Sequence, residues 1–144
     1  MQKKQIDKEK IKNKILEASE TIDSISEKMP ENFEDFENLG FVKDGIYKRI
    51  EFAIQNIIDI CYLINSGLKL GIPEVEDDIF SHLKNNNILS KKTMNLIEEM
   101  KGFRNILVHK YGQIEDDKAF ESITNGLKDF ETIFNELEKF LKNN

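Results

Sequence analysis

The segment Met100-Lys101-Gly102-Phe103-Arg104-Asn105-Ile106-Leu107-Val108-His109-Lys110-Tyr111-Gly112 brings an arginine, an asparagine, a histidine and a tyrosine within eight positions. Histidine is the side chain suited to moving protons near neutral pH. Arginine grips a phosphate through parallel N–H bonds and offsets the charge that builds up in phosphoryl transfer. Together they suit cleavage of a phosphodiester in RNA. His109 would assist attack of a 2′-hydroxyl on its own phosphorus or protonate the leaving oxygen. Arg104 would hold the phosphorane-like state, and Asn105 would orient His109 or hydrogen-bond the phosphate. This chemistry requires no metal and no cofactor.

Helical geometry limits how those groups can meet. Five residues apart on an ideal helix, Arg104 and His109 diverge by about 140°. Two arrangements would bring them together. Either the helix ends near His109, with Gly112 favouring an early stop, or a second copy of the chain completes one cleft across a two-fold axis. Leu96, Met100, Phe103 and Leu107 form the face that must turn to the core, with Arg104 at its border and Asn105 and His109 on the far side.

The remaining elements are read as helices joined by short turns. Ile11, Ile15, Ala18, Ile22 and Ile25 recur at steps of three and four, which predicts a helix over 6–28 ended by Met29-Pro30. Asn32 is placed to cap a short acidic helix through Phe33, Phe36 and Leu39, stopped at Gly40. A long helix over 42–69 carries apolar residues on two sides, so it is central in the bundle or shared with a partner. A third segment is expected over 75–85, a helix over 91–109 capped by Ser90, and a last helix over 116–141 with Phe120, Ile123, Leu127, Phe130, Phe134, Leu137 and Leu141 on one stripe. The fold class expected is all-α, an antiparallel up-and-down bundle of four to five helices forming one domain over 1–144.

Composition narrows the function classes. A net charge of −6 argues against a broad phosphate clamp and leaves room for a small site with a few local cations. The charged N-terminal stretch 1–14 has no signal-peptide core, and the apolar region 46–70 is broken by Lys48, Arg49, Glu51 and Asp59, so a cytoplasmic protein with no membrane span is expected. Two histidines and one cysteine make no zinc site. Cys61, in an apolar run, reads as a small buried hydrophobe. His82 reads as a surface residue, and Asp77-Asp78 and Glu115-Asp116-Asp117 as helix-start carboxylates. Lys48 and Arg49 are candidates for positive charge near the cleft.

The stretch Arg104-Asn-Ile-Leu-Val-His109-Lys-Tyr111 resembles the Arg-x4-His-x-Tyr signature of the HepT family in the HEPN superfamily, with a polar residue directly after the arginine. Gly102-Phe103 before it, the turn Gln113-Ile114-Glu115 after it and the long final helix agree with that resemblance. What the resemblance implies is a ribonuclease toxin of a type VII toxin–antitoxin system, acting as a homodimer on tRNA or mRNA, with the arginine and histidine lining the dimer cleft. It further implies a minimal nucleotidyltransferase antitoxin, MNT, as partner, which neutralises the toxin by transferring AMP from ATP to the motif tyrosine, here Tyr111. The alternative is a non-catalytic helical binding module or a subunit of a nucleotidyltransferase complex, which the acidic net charge also suits.

Overall fold

The computed structural model describes residues 5–144; Met1 to Lys4, part of the charged N-terminal stretch, lie outside the described residues. Six α-helices and one 3-10 turn are found there: α1 (Lys8–Lys28), α2 (Phe33–Glu37), α3 (Phe41–Gly67), α4 (Glu76–Asn85), α5 (Lys91–His109), η1 (Tyr111–Gln113) and α6 (Asp116–Lys142). No strand is present among the described residues. The four long helices pack as a ring, α1 on α3, α3 on α5, α5 on α6 and α6 on α1, with α2 laid against α6 and α4 bridging α3 and α5. The expected helical bundle is therefore found, with α2 and α4 as short additions.

Local chemistry explains where the helices begin. Asp7 accepts the Lys10 amide at 3.1 Å and opens α1. Asn32 accepts the Asp35 amide at 2.9 Å and opens α2, as its residue type predicts. Ser90 accepts the Thr93 amide at 3.2 Å and opens α5. The Glu136 carboxylate, reaching over from α6, takes Ser90 Oγ at 2.9 Å and also binds the Ser90 amide and the Thr93 hydroxyl.

α4 starts differently. Val75 at its N-cap has no side-chain acceptor, and Asp78 instead reaches back to the Glu74 and Val75 amides at 2.9 and 3.3 Å. Those two amide bonds hold the Asp78 carboxyl below its ordinary range. The start of α4 is thereby fixed, and with it the first residue, Glu76.

The core is one cluster. α3 contributes Ile46, Ile50, Ile54, Ile57, Ile60 and Ile64 among others, buried toward α1 on one side and α5 on the other. This matches the two-sided apolar pattern read from its sequence. A fully buried Ile or Phe is worth about 1.5–3 kcal/mol, so α3 is the principal source of cohesion. Cys61 is completely buried, and burial pushes its thiol up to about 12. Among the described residues no helix is long and apolar enough to cross a membrane.

One sequence expectation is corrected here. His82 is not a free surface residue. Its Nδ1 lies 2.8 Å from Asn65 Oδ1, and Asn65 Nδ2 donates to the Gly71 carbonyl at 2.9 Å. Gly71 has φ +139°, and a Cβ there would sit 2.9 Å from His82 Cε1. The histidine latches the α3–α4 connection onto α3. That role needs a spatial neighbour 17 residues away, which a single-helix pattern does not reveal.

Candidate active site

α5 ends at His109, where Lys110 turns out of the helix with φ −128° and ψ 33° while its amide still donates to Ile106. The helix thus stops early, with His109 still on it. It leaves His109 exposed at the last helical position.

Arg104, one and a half turns earlier, is placed quite differently. Its side chain is only 12% exposed. Its Nη2 and Nη1 form a fork on Glu76, at 2.7 Å to Oε1 and 3.2 Å to Oε2. Nη1 also donates to Gln55 Oε1 at 2.8 Å. Nε and Nη2 donate to Asn105 Oδ1 at 3.1 and 2.7 Å. A guanidinium has five N–H groups, and each has an acceptor here. Asn105 is thus turned to Arg104 and not to His109, which corrects the expected stacking of Asn105 on the histidine. The reason is electrostatic, because an amide oxygen next to a buried cation makes a stronger, charge-assisted bond.

Gln55 and Glu76 are the two members of this constellation that sequence reasoning missed. Gln55 Nε2 donates on to Asp59 Oδ1 at 2.9 Å, and Lys14 reaches the same carboxylate at 3.5 Å. The network therefore ties α1, α3, α4 and α5 together around the guanidinium. Two signals were available: Gln55 and Asp59 lie four apart in an isoleucine-rich helix, and Glu76 opens α4 just after Pro73. Neighbouring contacts brace α4 against α5. Lys101 pairs with Asp77 and stands 5.7 Å over the Phe80 ring.

Tyr111 opens the 3-10 turn after α5 and is 51% exposed. Together with Asp44, Tyr47, Lys48, Glu51 and Leu107 it lines a cavity of 160 Å³. The neighbouring Asp44 carboxylate, on the same cavity wall, and then burial raise the Tyr111 phenol above its ordinary value. Lys48 is paired with Glu51 at 2.6 Å. The wall behind is fixed by Asp116, which accepts Tyr47 Oη at 2.5 Å and Lys43 Nζ at 2.7 Å. Burial would raise the Asp116 carboxyl, but those two donors outweigh it and hold it low. For Tyr47, burial comes first and the Asp116 bond second in raising its phenol. Asp116 is thus a helix-start carboxylate, as expected, and a cross-brace as well. Among the described residues no three His, Cys, Asp or Glu side chains converge as metal ligands do.

Comparison with known proteins bears on the family of the chain. The curated mRNA nuclease HepT of Shewanella oneidensis is 31% identical over 90 residues, covering 62% of this chain and 68% of that protein. A solved tri-AMPylated HEPN toxin of the same organism, in complex with its MNT antitoxin, superposes with a TM-score of 0.80 at 27% identity, covering 90% of this chain and 97% of that one. A solved toxin–antitoxin structure with AMP-PNP gives a TM-score of 0.81 at 26% identity, covering 91% and 98%. The sequence model described as Ribonuclease HepT-like matches residues 15–137. With that match spanning most of its length, this chain belongs to the HepT-like ribonuclease family.

Proposed function

We propose that this chain is the toxin of a type VII toxin–antitoxin pair, a metal-independent endoribonuclease that acts in the cytoplasm on messenger or transfer RNA. The observation that carries this reading is the motif in place: Arg104, Asn105 and His109 on the last turns of α5, with Tyr111 exposed just beyond, in a chain of the HepT-like family. His109, open to solvent, assists the 2′-hydroxyl attack or protonates the leaving oxygen. Arg104 stabilises the phosphorane-like state. A phosphodiester is an anion with two peripheral oxygens, as Glu76 is, so substrate engages Arg104 by exchanging with Glu76 on the same fork. Asn105 keeps its hold on the guanidinium through that exchange.

The test is direct. In EDTA, the purified chain is expected to cut single-stranded RNA. No cleavage with or without Mg²⁺ would overturn the nuclease, and cleavage lost only on chelation would overturn metal independence.

A second copy completes the site. Arg104 and His109 diverge around α5, so one straight helix does not aim both at one phosphate. Phe52 and Tyr62 on α3, with Ile106 and Val108 on α5, leave apolar surface exposed on the helices that carry the network. Part of that surface, including Ile106, is the dimer contact, and it brings each His109 toward the other chain's Arg104. Ile106→Glu is expected to convert a dimer into a monomer by light scattering and to lower cleavage, with helical circular dichroism unchanged. A wild-type chain already monomeric at micromolar concentration contradicts this.

Neutralisation follows from Tyr111. The chain's partner in this reading is an MNT-type antitoxin that transfers AMP from ATP to the Tyr111 hydroxyl. The added phosphates obstruct RNA by bulk and by negative charge at the end of α5.

A further inference from the structure

The cavity at Tyr111 holds three carboxylates within reach of its walls, and their states differ. Asp116 behind it already accepts from both Lys43 and Tyr47. Glu51 already accepts from Lys48. Asp44 lines the same wall as Tyr111, is held by neither Lys43, Tyr47 nor Lys48, and its charge helps to raise the phenol. A volume of 160 Å³ is well below the roughly 300 Å³ at which pockets begin to bury a drug-sized ligand. The cavity therefore cannot enclose a nucleotide. It holds an acceptor hydroxyl and a carboxylate on the same wall, while the nucleotide arrives on another protein.

We propose that Asp44 is the general base for AMP transfer to Tyr111, so that the toxin supplies part of the catalytic machinery of its own neutralisation. The inference rests on the reading of Tyr111 as the acceptor. The step balances as follows. Tyr111 Oη attacks the α-phosphorus of a nucleoside triphosphate, and the Oη–P bond forms. The bond from that phosphorus to the bridging oxygen breaks, and pyrophosphate leaves. The phenol proton passes to the Asp44 carboxylate, which lines the same cavity, and from there to water. Since a phenol is largely protonated at neutral pH, it needs such an acceptor as the new bond forms. A positioned base contributes about 10²–10⁴-fold.

Placement also argues for this role. Asp44 lies in the first turn of α3, and Tyr111 in the turn after α5. Tyr47, one turn along α3 from Asp44, is anchored to Asp116 at the start of α6. The acceptor and its base are thereby held across the same fixed wall, on the exposed end of the bundle.

The experiment incubates full-length chain with ATP, Mg²⁺ and its MNT-type antitoxin, and follows AMP addition by intact mass. Asp44→Asn keeps a hydrogen-bonding side chain of the same shape and removes the base. It is expected to lower kcat for AMP transfer about a hundredfold with KM for the toxin unchanged, to leave RNA cleavage unaltered, and to be partly rescued in Asp44→Glu. Modification of Asp44→Asn at the wild-type rate, with Tyr111→Phe unmodified, overturns the base and spares the acceptor. A loss confined to KM also overturns it, making Asp44 a docking contact. Wild-type chain that gains no AMP, or Tyr111→Phe that still gains it, overturns the acceptor reading and the base with it.

Discussion

Replacing His109 with alanine is expected to cut RNA cleavage by roughly 10²–10⁴-fold, the range a lost general acid–base group typically costs. Stability is expected to stay within about 0.5 kcal/mol of wild type, the usual range for a surface side chain outside any packed or hydrogen-bonded cluster. The two halves of this expectation come from the same fact: His109 is exposed at the end of α5. Urea unfolding and a cleavage time course on the same preparation check both. Cleavage that persists in His109→Ala would remove the imidazole from the chemistry and favour the non-catalytic binding module.

Arg104→Ala is expected to damage stability and activity together. Removing the guanidinium leaves the Glu76 carboxylate, the Gln55 carbonyl and the Asn105 carbonyl without their donor. Both members of the ion pair are mostly buried, with 12% and 24% of their side chains exposed. A cost of about 2–3 kcal/mol follows, toward the lower end for broken buried pairs because Glu76 keeps some access to water. For a domain of this size that is roughly 5–10 °C in Tm. The informative comparison is the double variant Arg104→Ala/Glu76→Ala. Deleting the orphaned carboxylate is expected to restore about 1–2 kcal/mol, while cleavage stays lost. If the double variant recovers cleavage as well, Arg104 serves only as counter-charge to Glu76 and never meets the phosphate.

The contrast between these two variants reflects what could be read from the chain and what could not. Helix ends were legible because their causes are local. Ser90 before Lys91, Asn32 before Phe33 and Pro30 after Met29 each act within a few residues, and the helices α5 and α2 begin where those residues dictate. The core stripes of α1, α3 and α6 were legible because burial repeats with the helical period. The partners of Arg104 were not. Gln55 is 49 positions away and Glu76 is 28 away, and Tyr47 finds Asp116 across 69. Periodicity describes one helix at a time and does not say which polar residue on a neighbour will face it. Asn105 shows the same limit on a smaller scale. Its spacing to His109 suggested a helical pair, but the adjacent cation on Arg104 was the better donor.

The clamp of Lys43 and Tyr47 on Asp116 has a mechanical meaning for the segment 110–115. One end of that segment leaves α5 and the other enters α6 at the clamped carboxylate, so the tether that carries Tyr111 has little slack. A bulky group attached to the phenol cannot be carried aside by swinging the connection away from α3. In the proposed reading it projects from a connection anchored at both ends, like a bollard at the head of a lane, and even a short adduct would keep a long polymer from lying down there.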